Sequence, residues 1–222
     1  MTFDDFRTLV IARRTQLMMD LEREVDMDLI NKLCDVAAWA PNHQLTWPWL
    51  FGVFTGDARG ALGDATAEAM QRHGDTEMKV TKTRTKYLRA PVIVVVGTLQ
   101  GESELQTEEN RDAVSAGIQN MLLGATTMGL GSFWSSCPKG ANDDVAKHCG
   151  WPEGTHITAM LYLGWPNRDI PDRERPAPAI TYFTSSLKLS NNRLCVVLLR
   201  SALHAMLQLS SRQLRKNVLP TD

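Results

Sequence analysis

Pro91-Val92-Ile93-Val94-Val95-Val96 decides how this chain is read, because five apolar, mostly β-branched residues follow one another without a polar position. A strand with one wet face alternates, so an unbroken run predicts a strand buried on both faces at the centre of a sheet. A central strand of that kind needs a helical layer on each side. A second apolar run, Ile157 to Gly164 (ITAMLYLG), predicts another strand, and Trp49 to Thr55 (WLFGVFT) and Ser132 to Ser136 predict two more.

Helical periodicity fills the intervals. Phe3, Phe6, Leu9 and Val10 share one face behind Thr2 as N-cap, in a helix that reaches Arg13-Arg14 at its last turn. Leu29, Leu33, Val36, Ala37 and Ala40 mark a second helix, begun at Asp26 and Asp28 and stopped by Pro41. Asp57 to His73 is alanine-rich, and Asn142 to Cys149 ends at Gly150. Glu108 to Met128 is a long helix with small or apolar residues at Ala113, Ala116, Gly117, Met121 and Gly124, closed by Gly129 and Gly131. Small side chains admit a neighbouring helix closely, which suits an intersubunit contact. Two helices precede the first strand and no regular βαβ unit repeats, so the expected class is α+β.

Composition narrows the function. The 222 residues are 43% hydrophobic and 22% charged, with a net charge of −1, which nominates no polyanionic partner. Cys34, Cys137, Cys149 and Cys195 are scattered without a C-x-x-C pair, as for reduced thiols in a cytoplasmic protein. The opening Met1-Thr2-Phe3-Asp4-Asp5 is acidic where an export signal is basic, and no apolar run approaches the ~20 residues of a membrane span. Residues 184–222 carry six basic side chains against Asp222 alone, a net +5, and mark a boundary between a domain over 1–183 and a basic extension over 184–222. That extension holds an apolar run, Leu194 to Leu199, and a periodic set at Leu203, Met206, Leu207 and Leu209. Its role is open between a docked helix, a contact with a partner or an anionic membrane surface, and a non-native appendage.

Three segments carry possible chemistry. Ala12-Arg13-Arg14-Thr15 joins two guanidiniums and a hydroxyl, a donor set suited to a phosphate monoester; cations at a helix end also serve the helix dipole. Trp39-Ala40-Pro41-Asn42-His43-Gln44-Leu45-Thr46-Trp47-Pro48-Trp49 presents polar donors and indoles between a helix and a strand. Packing tryptophans and a turn-capping His43 account for it equally well. Gly129-Leu130-Gly131-Ser132-Phe133-Trp134-Ser135-Ser136 turns from a helix into a strand, so it is no dinucleotide fingerprint, which opens a helix after a strand. His73, His148, His156 and His204 lack metal-ligand spacing, and Glu108, Glu109 and Asp112 read as a solvated first turn.

In combination and in this order, the Arg-Arg-Thr segment, Ala40-Pro41-Asn42-His43 with Pro48-Trp49, the Gly-x-Gly-x-x-Trp-Ser-Ser turn and Leu163-Gly164-Trp165-Pro166 followed by Tyr182-Phe183 resemble the nitroreductase family, closest to its short minimal members. The resemblance runs from about Phe3 to Phe183 and has no counterpart for the tail. It implies a three-layer α+β sandwich with a mixed or antiparallel central sheet flanked by helices, and a homodimer with FMN at the subunit interface. Arg13, Arg14 and Thr15 would then hold the FMN phosphate and ribityl chain, with Trp134, Ser135 and Ser136 bordering the flavin in the same subunit. Trp39 and His43 would come from the partner subunit, and Gln44, which stands where relatives have lysine or another polar residue after the histidine, can donate to a flavin carbonyl. Gly124, Ala125, Thr126, Thr127, Met128 and Gly129 are similar to a stretch associated with NAD(P)H.

The implied activity passes hydride from NAD(P)H through FMN to a nitroaromatic, a quinone or a similar small acceptor by a ping-pong route, and no catalytic side chain is assigned. The alternatives are a flavin dehydrogenase or dehalogenase on the same scaffold, and a flavin-binding redox-sensing or interaction module with little turnover. The position matched to Trp39 is often basic in minimal members, and Ser135 stands where they can carry arginine, so the acceptor stays open.

Overall fold

The structure is a computed structural model that describes residues 1–171 and 173–183. By its internal contacts the chain divides into Met1–Asp172 and Arg173–Asp222. In the second unit the described residues 173–183 form neither helix nor strand, and the sequence features placed at 184–222, Cys195 and His204 among them, lie outside the described residues.

The first unit contains α1 (Phe3–Ala12), α2 (Met27–Ala37), β1 (Trp49–Phe54), α3 (Ala58–Arg72), α4 (Glu77–Lys86), β2 (Val92–Thr98), α5 (Glu104–Thr127), β3 (Gly131–Ser135), α6 (Asn142–His148) and β4 (His156–Gly164). The four strands form one sheet in the order β1-β2-β4-β3, with every pairing antiparallel. All seven residues of β2 are buried. Its side chains alternate between two cores: Ile93 and Val95 pack with Leu62, Met70, Val80 and Val145 of α3, α4 and α6. Val92, Val94 and Val96 pack with Ile30, Leu33, Val114, Ile118 and Met121 of α2 and α5. The three layers follow from this division, since a run without alternation can be satisfied only by apolar cover on both faces.

Local chemistry sets the ends of the helices. Thr2 and Asp5 form a reciprocal capping box at α1. The Asp26 carboxylate accepts from Asp28 N–H at α2, and Ser103 accepts from Gln106 N–H at α5. Helix α5 therefore starts at Glu104, a turn before the predicted Glu108, because Ser103 supplies the cap. Helix α1 stops at Ala12, and Arg13 is already extended (φ −60, ψ 122), so the arginine pair lies beyond the helix rather than in its last turn. Helix α4 has no strong periodic signal; it buries only Val80 and Thr83 and was not expected.

Two of the small residues of α5, Gly117 and Gly124, admit α2 of the same chain. A Cβ on Gly117 would lie 2.7 Å from Ala37 O, and one on Gly124 would lie 2.9 Å from Leu33 Cδ2.

Candidate cofactor site

The chain leaving α1 is stitched to the sheet edge. Thr15 bridges Ser132 in parallel, and Gln16 N–H donates to Ser132 O at 2.9 Å. Gln16, 5% exposed, then donates through Nε2 to Arg168 O (2.9 Å) and accepts from Met18 N–H (2.9 Å). Gly131 is needed at this crossing, because a Cβ there would sit 2.6 Å from Gln16 Cγ. The result places Arg13-Arg14-Thr15 alongside β3, the strand that carries Trp134 and Ser135 into Ser136.

Around this seam a cleft of about 240 Å³ brings Arg14 and Gln16 against Thr126, Gly129, Gly131 and Arg168. Arg14 donates to Ile11 O and, at 3.2 Å, to Arg13 O, so part of its fork closes the carbonyl end of α1. The stretch 124–129 terminates α5. Thr126 and Thr127 hydroxyls donate to Leu122 O (2.9 Å) and Gly124 O (2.7 Å), Ala125 is buried, Met128 caps, and Gly129 takes φ +74.

At the other end of β3 a larger cavity, about 800 Å³, is lined by Trp134, Ser136, Cys137 and Lys139, by Glu108, Arg111, Asp112 and Ser115 of α5, and by His156 and Thr158 of β4. Its size is that of a small-molecule or cofactor site. Trp134, 37% exposed, is oriented by its Nε1–H donating to Thr158 O at 3.3 Å, and the Ser135 hydroxyl donates to Ser136 O at 3.3 Å. Burial pushes the Cys137 thiol up to about 12, which argues against a thiolate nucleophile on this wall. Burial, and then the Arg111 charge, hold the His156 imidazole below its ordinary 6.5.

The third patch is the loop after α2. Trp39 is 80% exposed and lines neither cavity. Gln44, Leu45 and Trp47 take φ of 60, 53 and 47, a left-handed run with no glycine. His43 Nδ1 lies 2.8 Å from Glu109 Oε2, Gln44 Oε1 accepts from Gln106 Nε2 at 2.8 Å, and the Thr46 hydroxyl donates to Asn110 Oδ1 at 2.6 Å. Glu109 is thus the partner of His43 and no mere solvated first-turn acid. The sequence assigns no role to Gln106 and Asn110 and only that of a first-turn acid to Glu109; the available signal was their i, i+3, i+4 spacing on one helix face.

The predicted residues therefore fall into three patches. Arg14 joins Thr126 and Gly129, Trp134 joins Ser136, and His43 and Gln44 join α5. Among the described residues no group of three or more His, Cys, Asp or Glu is arranged to hold a metal ion, and no helix is long and apolar enough to cross a membrane.

Fold and site together define an antiparallel α+β sandwich with a cofactor-sized cavity at one sheet edge. The chain belongs to the nitroreductase family, whose profile matches residues 11–165. It is 25% identical over 178 residues to YfhC of Bacillus subtilis, a candidate NAD(P)H nitroreductase, covering 79% of this chain and 91% of that one. The crystal structure of a nitroreductase-like family protein from Bacillus cereus is 26% identical and superposes with a TM-score of 0.68, covering 80% of this chain and 94% of that one. A Bacteroides fragilis nitroreductase solved with bound FMN shares the fold at 20% identity and TM-score 0.66, over 80% of this chain and 98% of that one.

Proposed function

We propose that this protein is an FMN-dependent NAD(P)H oxidoreductase that works as a homodimer and reduces a nitroaromatic, a quinone or a similar small acceptor by a ping-pong route. The observation that carries the reading is the seam between Thr15-Gln16 and Ser132, which brings the Arg13-Arg14-Thr15 segment beside the strand that carries Trp134. That combination fits FMN: Arg13 and Arg14 meet the phosphate, Thr15 the ribityl chain, and Trp134 with Ser135 and Ser136 the ring. The names of relatives that bind FMN or act with NAD(P)H support the same reading. Bound FMN supplies hydride acceptance from NAD(P)H and its onward delivery. The chain's own residues anchor the phosphate, present hydrogen-bond donors to the ring and exclude water and oxygen.

The dimer is supported by α1, which buries none of its residues although Phe3 is 75%, Phe6 42% and Ile11 46% exposed. Trp39 and Trp47, 80% and 59% exposed, add apolar surface at the strained loop. A second copy is the occupant that covers such a surface and completes each site with the partner's loop. Residues 124–129 are assigned to NAD(P)H through their resemblance to a stretch associated with it, and Thr126 and Gly129 of that stretch share the smaller cleft with Arg14. The test is steady-state oxidation of NADPH and NADH with a nitroarene or quinone: parallel double-reciprocal lines are expected. Flavin bound without reduction by either nicotinamide would favour a sensing module instead.

A further inference from the structure

The loop Asn42 to Trp47 is held in a conformation that its residues do not favour. Left-handed φ at Gln44, Leu45 and Trp47 each costs on the order of 1–3 kcal/mol and persists only where the surroundings enforce it. Three α5 side chains do the enforcing, each gripping one loop side chain: Gln106 on Gln44, Glu109 on His43 and Asn110 on Thr46.

Each bond in this set has a direction fixed by an unambiguous group at its end. Glu102 N–H donates to Gln106 Oε1 at 2.6 Å, so the Gln106 amide nitrogen must face the loop, and it donates to Gln44 Oε1. The Gln44 oxygen is thereby engaged and its NH₂ group left to donate elsewhere. The Glu109 carboxylate only accepts, so the His43 hydrogen sits on Nδ1 and Nε2 of the neutral ring is an acceptor. The second strand of the network agrees. Asn110 Nδ2 donates to Leu99 O (3.1 Å), leaving Oδ1 to accept from Thr46; Thr46 accepts from Asn42 Nδ2 (3.0 Å), and Asn42 Oδ1 accepts from Trp47 N–H (2.8 Å).

The geometry points to Gln106 and Glu109 as positioning residues that fix the hydrogen-bonding polarity of the loop, making Gln44 a donor and His43 an acceptor at its exposed surface. The complementary ligand edge is a lactam, whose carbonyl accepts and whose N–H donates, as along the pyrimidine ring of a flavin. This rests on the FMN reading above and assigns to α5, rather than to the loop's own sequence, the choice of which edge is recognised.

The test is FMN affinity of the purified protein with Gln106→Glu, Gln106→Met and Glu109→Gln, each checked by thermal melting. Gln106→Glu keeps the bond to Glu102 N–H but turns the Gln44 amide around, so its oxygen meets the flavin carbonyl; affinity falls about tenfold, and the loss persists in high salt. Glu109→Gln still accepts from His43 Nδ1–H through its amide oxygen, so it keeps the tautomer and costs about threefold or less. Gln106→Met removes the constraint without reversing it and costs about threefold or less. Equal losses for Gln106→Glu and Gln106→Met, with the unaltered protein binding FMN, overturn this inference alone. Failure of the unaltered protein to bind FMN overturns the flavin reading and this inference with it.

Discussion

Helix α5 has two halves that do different work. From Ala113 to Ala125 it buries Val114, Gly117, Ile118, Met121 and Leu122 against α2 and the sheet, with Gly117 and Gly124 permitting close approach. From Gln106 to Ser115 it holds the strained loop with one stripe of side chains and lines the larger cavity with another. The inner half contributes stability, and the outer half converts that rigidity into position for polar groups. Substitutions should therefore separate: in the inner half they lower stability, and in the outer half they alter ligand binding with the fold retained.

The largest effect is expected from Gly117→Val, which forces side-chain atoms onto Ala37 O. We expect a loss of about 4 kcal/mol or more, read as failure to yield a folded chain or as a collapsed urea midpoint. Met121→Ala empties a fully buried position and should cost about 2–5 kcal/mol, with activity per folded molecule preserved. A cavity mutant that lost activity while keeping its urea midpoint would blur the division between the halves.

Arg13→Ala sharpens the comparison from outside α5. FMN affinity should fall on the order of 10- to 100-fold, with the melting temperature of the flavin-free protein unchanged. Full flavin occupancy and unchanged turnover would remove Arg13 from the phosphate site. Thr46→Val leaves Asn110 Oδ1, in a side chain only 2% exposed, without its donor, and should cost about 1–3 kcal/mol.

The smallest effect is at the cavity wall. His156 is held below its ordinary value, so the unfolded chain binds the proton more readily. Stability from this group is full above the unfolded value of 6.5 and falls as pH drops from there toward the folded value. His156→Gln should flatten that part of the melting-temperature profile slightly; an identical acid limb would show that the imidazole contributes nothing.

The core was the more legible part of the chain. Val92 to Val96 admit one interpretation because hydrophobic burial is non-directional and leaves its pattern in composition. Helix α4 was not legible, since its only buried side chains are Val80 and Thr83. The arginine pair was placed one step wrong because Ala12 ends its helix without a glycine or proline to signal it. The site's supporting groups were hidden for another reason. Glu109, Gln106 and Asn110 act on residues 66, 62 and 64 positions away, and directional hydrogen bonds over such separations leave no periodic trace. Left-handed Gln44, Leu45 and Trp47 were likewise invisible, because tertiary bonds rather than glycine hold them there.

The central claim, a flavin site completed by two copies of the chain, is tested most directly by anaerobic titration of the purified protein, of determined oligomeric state, with NADPH while its absorption is followed. The account predicts a flavin band near ~450 nm, one FMN per chain, bleached by one equivalent of NADPH and restored by a nitroarene. A colourless protein that takes up no added FMN, or a monomer with full flavin occupancy and turnover, would contradict it.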